Sequence, residues 1–542
     1  MKNKSITLAT PTIVFTSLKT LSACFRGLVL LPLLVTISAA AESLQPNHGQ
    51  AQLIERGYGM FIHFGVNTFN QVEWSDGKLP ASSFNPTALD CDQWIQTAKE
   101  AGFRHVILIT KHHDGFCLWD SKYTDYDVAS SPVKTDIVAE VAKACRKYGV
   151  RLGIYYSLWD RREPSHGEKD PAKYVMFMKN QLTELLTNYG DVCELWFDGG
   201  WAKPDADWNI PEVYAHIKNL QPDCQVTVNH TIHIPGQPRK VRPPEDYVKG
   251  DPIRYWPVDF RTKDPNLVRA DDPKEFTSPD GRLRYLPFEH TICISDRWNW
   301  FQKKDIIPAR TPDELEELFY WCTANDNVLL VNLPPDQTGR IRENERVAIL
   351  QVADQLGIRG GRNPLPSAPI NQAAGVPAEA DSIYSAGYGA SKAVDGSLER
   401  TRWAAKETPA SLTLSPVKPF IFDRISIHEY GDMKDLGDNF SQLRTFRVQA
   451  FTLEALQNGI WNTIHTGQEL GAAKILRFDR KISAEKIRLR ITKASAPASI
   501  YLITVADSNT RGVRSPTKPV APSAQTTPPR AAVIPPATQP AP

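Results

Sequence analysis

Short apolar runs alternate with amphipathic stretches from about residue 50 to residue 357. The apolar runs are rich in β-branched residues and predict strands, whereas the stretches between them carry apolar residues at helical spacing. Asp136–Gly149 is typical, because its apolar residues share one helical face and Gly149 ends the helix. The predicted strands are Phe61–Phe64, Arg104–Thr110, Arg151–Ser157, Val192–Asp198, Cys224–His230, Thr291–Ser295 and Val328–Asn332.

Strict alternation of strands and helices implies a parallel sheet, and this number of units favours a closed barrel over an open sheet. We therefore predict a (β/α)8-like TIM barrel as the catalytic domain, over residues 42–360. The pattern breaks between 232 and 287, a polar, proline-rich stretch. Such an insertion forms part of an active-site rim or is a tolerated surface loop.

A second domain is predicted after the barrel, because helical patterns vanish from about residue 370 to residue 507. Short alternating strands replace them, for example Ile425–His428, Phe446–Phe451 and Ile487–Ile491. Strands of this kind separated by turns predict an all-β sandwich, which we place at residues 361–509.

The two ends of the 542-residue chain differ from the part between them. Residues 1–41 combine basic residues, an apolar core at Gly27–Ser38 and a small-residue end, a pattern typical of a signal peptide. We expect export to the periplasm or outside the cell; Leu21–Cys24 also fits a lipoprotein box, which leaves lipid anchoring as an alternative. Residues 510–542 are rich in proline and predict a disordered tail.

Charge and cysteine content exclude several classes of protein. The net charge of +2 comes from the basic residues at the two ends, so nothing predicts a nucleic-acid partner. No membrane contact is expected beyond the export signal. Seven cysteines follow Cys24 without a CxxC pair, which predicts buried free thiols and no zinc site.

Polar and aromatic side chains collect at the carboxyl ends of the predicted strands, where barrel enzymes place their reacting groups. Asp198 closes an apolar strand and precedes two glycines, which leave its carboxylate open. An aromatic platform, a carboxylate and several histidines suit a sugar, and glycoside chemistry needs a second carboxylate. The strand-end residues are His63, His112, His113, Asp114, Tyr155, Tyr156, Trp196, Asp198, Asn229 and His230.

Five segments in order give the chain a resemblance to a known family. Tyr58–Gly65, Glu73–Ser75, Lys111–Phe116, the Tyr155–Tyr156 pair and Trp196–Gly200 resemble the retaining α-L-fucosidases of glycoside hydrolase family 29. The resemblance covers about residues 50–357 and implies a barrel with Asp198 as nucleophile. It further implies contacts with the sugar from His63, Glu73, Trp74, His112, His113, Tyr156, Trp196 and Trp298, with Tyr155 as the alternative to Tyr156.

The resemblance places the acid/base less firmly than the nucleophile. Phe288–Cys293, followed by Trp298 and Trp300, is similar to one branch of the family and implies Glu289 in this role. The segment used by the branch specialised for α-1,3/1,4 linkages is missing. Acidic residues of the 232–287 stretch remain as alternatives, namely Glu245, Asp259 and Glu275. Arg254 matches a family arginine near the nucleophile.

The implied reaction is removal of terminal α-L-fucosyl residues from fucosylated glycans by double displacement. Asp198 attacks C1 while Glu289 protonates the leaving oxygen, and Glu289 then deprotonates the incoming water. No cofactor and no metal are expected.

Two other functions stay open from the residues alone. One is a carbohydrate-binding protein on a barrel that has lost catalysis. The other is a metal-dependent hydrolase with His63, His112, His113 and Asp198 as ligands, although neighbouring histidines on one strand point to opposite faces. In the second domain, Ser391–Gly396 with Thr401–Trp403 resembles the opening of discoidin-like sandwiches, which bind sugars or brace a catalytic domain.

Overall fold

A computed structural model describes residues 44–295, 298, 300–301, 308–435 and 442–512. The predicted signal peptide and nearly all of the predicted tail lie outside these residues. Within the described part, no helix has the length and apolar character needed to cross a membrane.

Eight parallel strands form the first domain, as the alternating pattern predicts. Their order in the sheet is β5-β4-β3-β2-β1-β8-β7-β6. The sheet closes where the Asp259 N–H donates to the Val226 carbonyl at 2.8 Å, so the domain is a TIM barrel. The strands are β1 (Tyr58–Ile62), β2 (His105–Lys111), β3 (Arg151–Ser157), β4 (Val192–Asp198), β5 (Gln225–Val228), β6 (Arg261–Thr262), β7 (Phe288–Cys293) and β8 (Val328–Asn332).

Helices surround the barrel and begin and end at the residues that sequence rules favour. Asp136 accepts from the Ala139 N–H at the start of one of them, and Gly149 ends it in the left-handed conformation with φ 66°. The described helices are α1 (His48–Arg56), α2 (Val66–Asn70), α3 (Cys91–Glu100), α4 (Ile137–Tyr148), α5 (Ala172–Asn188), α6 (Ile210–Leu220), α7 (Pro312–Thr323) and α8 (Glu343–Leu356).

Side chains of the barrel strands alternate between its interior and the helices. On β4, Trp196 packs inside the barrel with Phe61 and Tyr155, whereas Leu195 and Phe197 pack towards the helices. Asp198, two residues after Trp196, therefore belongs to the interior side at the carboxyl-terminal mouth. This alternation decides which of the predicted residues can reach a ligand.

The 232–287 stretch contains a barrel strand that the sequence pattern does not reveal. Strand β6 has two residues and no apolar run, and it pairs with the start of β7. Two hairpins flank it, one formed by His233–Ile234 with Gln237–Val241 and the other by Glu275–Thr277 with Leu283–Tyr285. The stretch is therefore not a plain insertion, because it supplies the sixth strand and the loop that follows it.

The second domain is a sandwich of two antiparallel sheets around one core, as predicted. Leu412, Leu453 and Leu489 from one sheet meet Ile425 and Ile500 from the other, all at most 1% exposed. The first sheet contains Ala378–Ala380, Ala410–Leu414, Lys486–Ala494, Val448–Gln457 and Ile460–Gly467; the second contains Trp403–Ala404, Ser499–Ala506, Phe420–Glu429 and Lys474–Ala484; Asp432–Asp435 pairs with Gln442–Thr445.

The sandwich packs against α7 through charged side chains. Glu317 accepts from the Ser426 hydroxyl at 3.0 Å and lies 3.2 Å from His428 Nε2. Arg424 spans Glu316 and Glu317 and is only 5% exposed. The acidic face of a barrel helix is thus buried by a basic patch of the sandwich.

All seven cysteines after the leader are buried free thiols, as the sequence predicts: Cys91, Cys117, Cys145, Cys193, Cys224, Cys293 and Cys322.

Candidate active site

Asp198 lies at the centre of the carboxyl-terminal mouth of the barrel and is 8% exposed. Its carboxylate accepts hydrogen bonds from the Tyr155 hydroxyl at 2.9 Å, Asn229 Nδ2 at 3.0 Å and Trp201 Nε1 at 3.2 Å. The chain then turns sharply, with Gly199 at φ 77°. The two donors on Oδ1 and one on Oδ2 fix the orientation of this carboxylate.

Gly199 is required at this turn for a second reason besides its dihedral angle. A Cβ at this position would lie 2.6 Å from the Trp159 Cβ and 2.9 Å from its backbone nitrogen. The predicted glycine turn after Asp198 is therefore confirmed, and it also allows Trp159 to approach the site.

Three histidines that the sequence singles out meet at this mouth. His63 Nδ1 lies 3.0 Å from Asn332 Oδ1, and His113 Nδ1 lies 2.6 Å from Ser157 Oγ. Ser157 donates its only hydroxyl hydrogen to the Trp159 carbonyl at 2.6 Å, so His113 Nδ1 is the donor to Ser157. His113 Nε2, 3.6 Å from Asp198 Oδ2, then carries a lone pair and is able to accept a hydrogen bond.

His112 and His113 are neutral rather than cationic. Burial, with the Arg161 charge next, lowers the pKa of His113 to about 3, and burial also lowers the pKa of His112 well below its usual value. Neutral imidazoles both donate and accept, which suits hydroxyl groups of a sugar.

His112 and His113 do not point to opposite faces of the sheet, contrary to expectation. Their ring centroids are 4.1 Å apart. The physical reason is that β2 ends at Lys111 and its register with β3 already shifts after Ile109, so strand alternation no longer applies. The geometric objection to a metal at these histidines is therefore wrong.

The predicted metal-ligand set still does not form a compact group. Among the described residues, the His, Cys, Asp and Glu side chains close enough to share an ion are His105, Glu194 and Glu289. All three are buried inside the barrel and form a group that does not include His63, His112 or His113.

Tryptophans line two sides of the mouth. Trp298 and Trp300 stand 4.9 and 5.1 Å from the His63 ring. Across the mouth, Trp74 and Trp159 pack on Trp201 at 5.4 and 5.2 Å, and Trp74 is 42% exposed. Apolar walls with hydroxyl-binding groups between them fit a sugar, whose C–H faces pack on aromatic rings.

Two further carboxyl groups, Glu73 and Asp264, face Asp198 across the mouth. Burial and the Asp198 charge raise the pKa of Asp264 to about 7. Burial, Asp264 and then Asp198 raise the pKa of Glu73 to about 8, against the effect of a Trp298 hydrogen bond. At neutral pH Glu73 is therefore mostly protonated and Asp264 is protonated in a substantial fraction of the molecules, whereas most carboxyl groups are ionised.

Asp264 is joined to Asp198 by Asn229, whose Nδ2 donates to both carboxylates. Because a hydrogen bond spans about 3 Å, the two accepting oxygens are at most about 6 Å apart. Retaining glycosidases hold their two carboxyl groups about 5–5.5 Å apart. The pair Asp198 and Asp264 fits this chemistry.

The structure places Glu289 away from the mouth, which does not favour the predicted acid/base role. It is fully buried as the second residue of β7, level with Val328, the first residue of β8. Asp198 is the last residue of its strand, whereas Glu289 lies four residues before the end of β7, so the two residues lie at different depths in the barrel. Trp196 Nε1 donates to Glu289 at 2.6 Å, so Glu289 lies beneath the site in the barrel interior.

The positions of Trp196 and Tyr156 do not favour the predicted contacts with a sugar. Trp196 is fully buried beneath Asp198 and cannot form a platform for a sugar. Tyr156 points towards the helices, where its hydroxyl donates to Gln181 at 2.7 Å and accepts from Lys111. Strand alternation gives Tyr155, the predicted alternative, the place facing Asp198.

The remaining acidic candidates are held in other contacts. Asp259 accepts from the Tyr214 hydroxyl and the Val226 N–H, and Glu275 pairs with Lys249. Glu245 lines a cavity of about 630 Å³ between the barrel and the sandwich. Arg254 packs on Tyr255, and its charge helps to lower the pKa of His230 to about 3, after burial and Lys263.

Sequence reasoning missed Asp264, Trp159, Trp201, Ser157 and Asn332. Asn332 and Ser157 end predicted strands, so the rule that located Asp198 also points to them. Asp264 follows a strand without an apolar run, and no sequence signal marks it.

Comparisons with known proteins agree with this geometry. A sequence profile described as Alpha-L-fucosidase matches residues 74–361. The chain is 30% identical over 488 residues to Alpha-L-fucosidase 1 of Arabidopsis thaliana, covering 87% of this chain and 90% of that protein.

The chain is also similar to a mouse protein and to a bacterial crystal structure. Tissue alpha-L-fucosidase of Mus musculus is 26% identical over 345 residues, covering 56% of this chain and 69% of the mouse protein. A crystal structure of a glycoside hydrolase 29 family member from an unknown rumen bacterium matches with a TM-score of 0.51 and 25% identity, over 87% of this chain and 79% of that chain.

Proposed function

Because the chain belongs to the α-L-fucosidase family, we propose that Asp198 is the nucleophile of an exo-acting α-L-fucosidase. The observation that carries this is the placement of Asp198 at the mouth, where three donors orient its carboxylate and two carboxyl groups with raised pKa values, Glu73 and Asp264, face it. The enzyme is a glycoside hydrolase that removes terminal α-L-fucosyl residues from fucosylated glycans with retention of configuration.

Asp264 takes the acid/base role in place of Glu289. It is partly exposed, follows β6 at the mouth, and shares Asn229 with the nucleophile. Its pKa of about 7 keeps it protonated for the first step and lets it accept a proton in the second.

The reaction proceeds in two displacements. Asp198 Oδ attacks C1 and the C1–O bond to the aglycone breaks, while the Asp264 proton passes to the leaving oxygen. Water then attacks C1 of the fucosyl ester and gives its proton to Asp264, which releases fucose and restores the Asp198 carboxylate.

The remaining side chains of the mouth bind and orient the sugar. His63, His112 and His113 exchange hydrogen bonds with its hydroxyls, Glu73 donates to a hydroxyl, and Trp298 and Trp74 pack on its apolar faces. These interactions hold C1 against Asp198, and such positioning lowers the barrier substantially.

Leaving-group dependence tests the two carboxyl roles separately. Asp198→Asn should abolish turnover of both a fucosylated oligosaccharide and 4-nitrophenyl α-L-fucoside. Asp264→Asn should lower turnover of the oligosaccharide by about 10²–10⁴-fold, and that of the nitrophenyl substrate far less, because nitrophenolate leaves without a proton.

Controls decide between Asp264 and its alternatives. Azide should restore Asp264→Asn activity by replacing water, whereas Glu275→Gln should behave as wild type on both substrates. If Glu73→Gln shows the selective loss and Asp264→Asn does not, the acid/base is Glu73. Wild-type protein that releases no fucose from either substrate contradicts the proposed activity.

We also propose that the enzyme is exported and that its sandwich is discoidin-like. The leader pattern of residues 1–41 and the Ser391–Gly396 motif support these two points. The buried ion pairs to α7 favour a bracing role for the sandwich over an independent sugar-binding role.

A further inference from the structure

A cluster of ionisable side chains is buried inside the barrel, on the side opposite to the mouth. Arg56 of α1, His105 of β2, Glu194 of β4 and Glu289 of β7 are each at most 7% exposed. Arg56 donates to Glu194 Oε2 at 3.2 Å. The hydrolytic mechanism uses none of these residues, so their presence in an otherwise apolar interior needs an explanation.

His105 lies between the two glutamates without forming a hydrogen bond to either of them. His105 Nε2 lies 3.7 Å from Glu194 Oε2 and 3.9 Å from Glu289 Oε2, both too long for a hydrogen bond. The imidazole itself fits only because residue 59 is glycine, since a Cβ there would lie 2.4 Å from His105 Nε2. The barrel interior is therefore shaped to hold this cluster.

Counting charges shows what the cluster requires. Arg56 supplies one positive charge and the two glutamates supply two negative charges when both are ionised, which leaves one negative charge unbalanced. His105 does not compensate for it, because burial keeps its pKa well below the usual value. One added proton makes the cluster neutral, whereas a divalent cation overshoots to a net positive charge.

The cluster is linked to the active site by one side chain. Trp196 Nε1 donates to Glu289 Oε1 at 2.6 Å. The Trp196 ring lies 5.2 Å from Phe61, which lies 4.4 Å from the His63 ring, and Asp198 follows two residues later on β4. A shift of Trp196 therefore moves the layer on which His63 and Asp198 rest.

We propose that Glu289 is a neutral carboxylic acid that shares a proton with Glu194, and that it is a positioning residue which holds Trp196 beneath Asp198. The positioning role rests on the proposed function of Asp198, whereas the shared proton does not. Glu289 Oε1 accepts from Trp196. Carboxylate oxygens of Glu289 and Glu194 lie within 4.8 Å of each other, so the Glu289 proton is directed at the ionised Glu194, which Arg56 neutralises.

The environment of Glu289 favours its protonated form. Burial and then the Glu194 charge raise its pKa well above the usual 4.5, and the effect of Arg56 is smaller. The other ionisable groups around the cluster are Arg151 of β3 and Cys193 of β4, which act on His105 and Arg56.

A set of conservative substitutions tests the proposal in the full-length enzyme. Glu289→Gln preserves a neutral group that donates to Glu194 and accepts from Trp196, so its kcat should remain within about threefold of wild type. Glu289→Ala should lower kcat by about 10²-fold, the cost of misplacing a reacting group by about 1 Å. Glu194→Gln is the matched control. It should lower kcat, because it removes the negative charge that is paired with Arg56.

The pH dependence of unfolding supplies a second readout that does not require activity. In wild type the native state keeps the Glu289 proton above pH 4.5 while the unfolded state loses it, so this group makes stability fall as pH rises above 4.5. Glu289→Gln removes this contribution, and its stability relative to wild type should increase with pH over that window.

Three outcomes overturn the proposal. Folded Glu289→Gln that is as inactive as Glu289→Ala shows that the charge of Glu289 is needed. Parallel pH–stability curves for wild type and Glu289→Gln show that Glu289 is not protonated. One equivalent of a divalent metal in purified wild type that is lost in Glu289→Gln shows that a cation, not a proton, balances the cluster. If Asp198→Asn does not abolish turnover, the proposed role of Asp198 is wrong, but the shared proton of Glu289 and Glu194 is not affected.

Discussion

Asp264 and Glu73 face Asp198 from different sides of the barrel mouth, and their protonation depends on this neighbour. Burial and the charge of the nucleophile raise the pKa of Asp264 to about 7. The sequence gives no hint of this, because the shift arises from three strands meeting at one place. The protonation of Asp264 therefore depends on residues that are far apart in the sequence, and it could not be predicted from the sequence alone.

The pH profile of hydrolysis should report the protonation of Asp264. A general acid must carry its proton, so kcat/KM for an oligosaccharide should fall as pH rises above about 7. Lys263 lowers the pKa of Asp264, and Lys263→Met should move this limb to higher pH. Lys249→Met, which removes a partner of Glu275 on the hairpin, should leave the limb in place.

Gly199→Ala should inactivate the enzyme through a steric clash behind the nucleophile. The new methyl group would overlap Trp159 at 2.6 Å and displace it from the site. Gly190→Ala is a matched control, since Gly190 also has positive φ but its nearest neighbour would be 3.6 Å away. The control should lose about 1 kcal/mol of stability and keep its kcat, and equal kcat values for the two variants would contradict the clash.

At the scale of elements, the sequence predicts seven of the eight barrel strands and misses β6. Periodicity detects strands with an apolar run, and β6 has two residues, one of them a buried arginine. Strand alternation explains why Tyr156 faces the helices, because a shift of one residue reverses the direction of a side chain. Trp196 is on the same interior side as Asp198, but it is fully buried one side-chain layer below it. The motif that implies Glu289 gives its strand but not its depth along that strand, and the structure places this side chain in the barrel interior.

Arg261 should be essential for holding β6 and the loop that carries Asp264. It forms a bidentate pair with Asp272, and both side chains are fully buried. Arg261→Ala removes the bidentate partner of the buried Asp272 carboxylate and leaves Lys274, at 2.7 Å, as its remaining ion pair, so it should cost about 3 kcal/mol of unfolding free energy. Arg284→Ala, which breaks an exposed pair with Asp280, should cost at most about 1 kcal/mol in the same denaturant titration.

At the scale of the whole molecule, the sandwich and the barrel share a buried charged interface at α7. The sequence predicts both domains but not this contact, because Glu316 and Glu317 fit an ordinary solvated helix face. In the structure Arg424, Ser426 and His428 cover them. The two domains should therefore unfold together rather than separately.

Acid should weaken this interface through Glu317. His428 and Arg424 hold the pKa of Glu317 at about 2 despite burial, so this group stabilises the fold above pH 4.5. That contribution is lost as pH falls from 4.5 towards 2. Glu317→Gln should flatten this part of the stability curve, whereas Glu343→Gln on the exposed surface should not change it. Identical curves for wild type and Glu317→Gln would contradict the assignment.

Trapping the covalent intermediate tests the central claim most directly. A 2-deoxy-2-fluoro-α-L-fucosyl substrate with an activated leaving group slows hydrolysis of the fucosyl ester, so the intermediate accumulates. Mass spectrometry of proteolytic fragments should find one fluorofucosyl group on Asp198, and none in Asp198→Asn. A label on Glu73, Asp264 or Glu289, or turnover without any labelled enzyme, would contradict the assignment of Asp198 as the nucleophile.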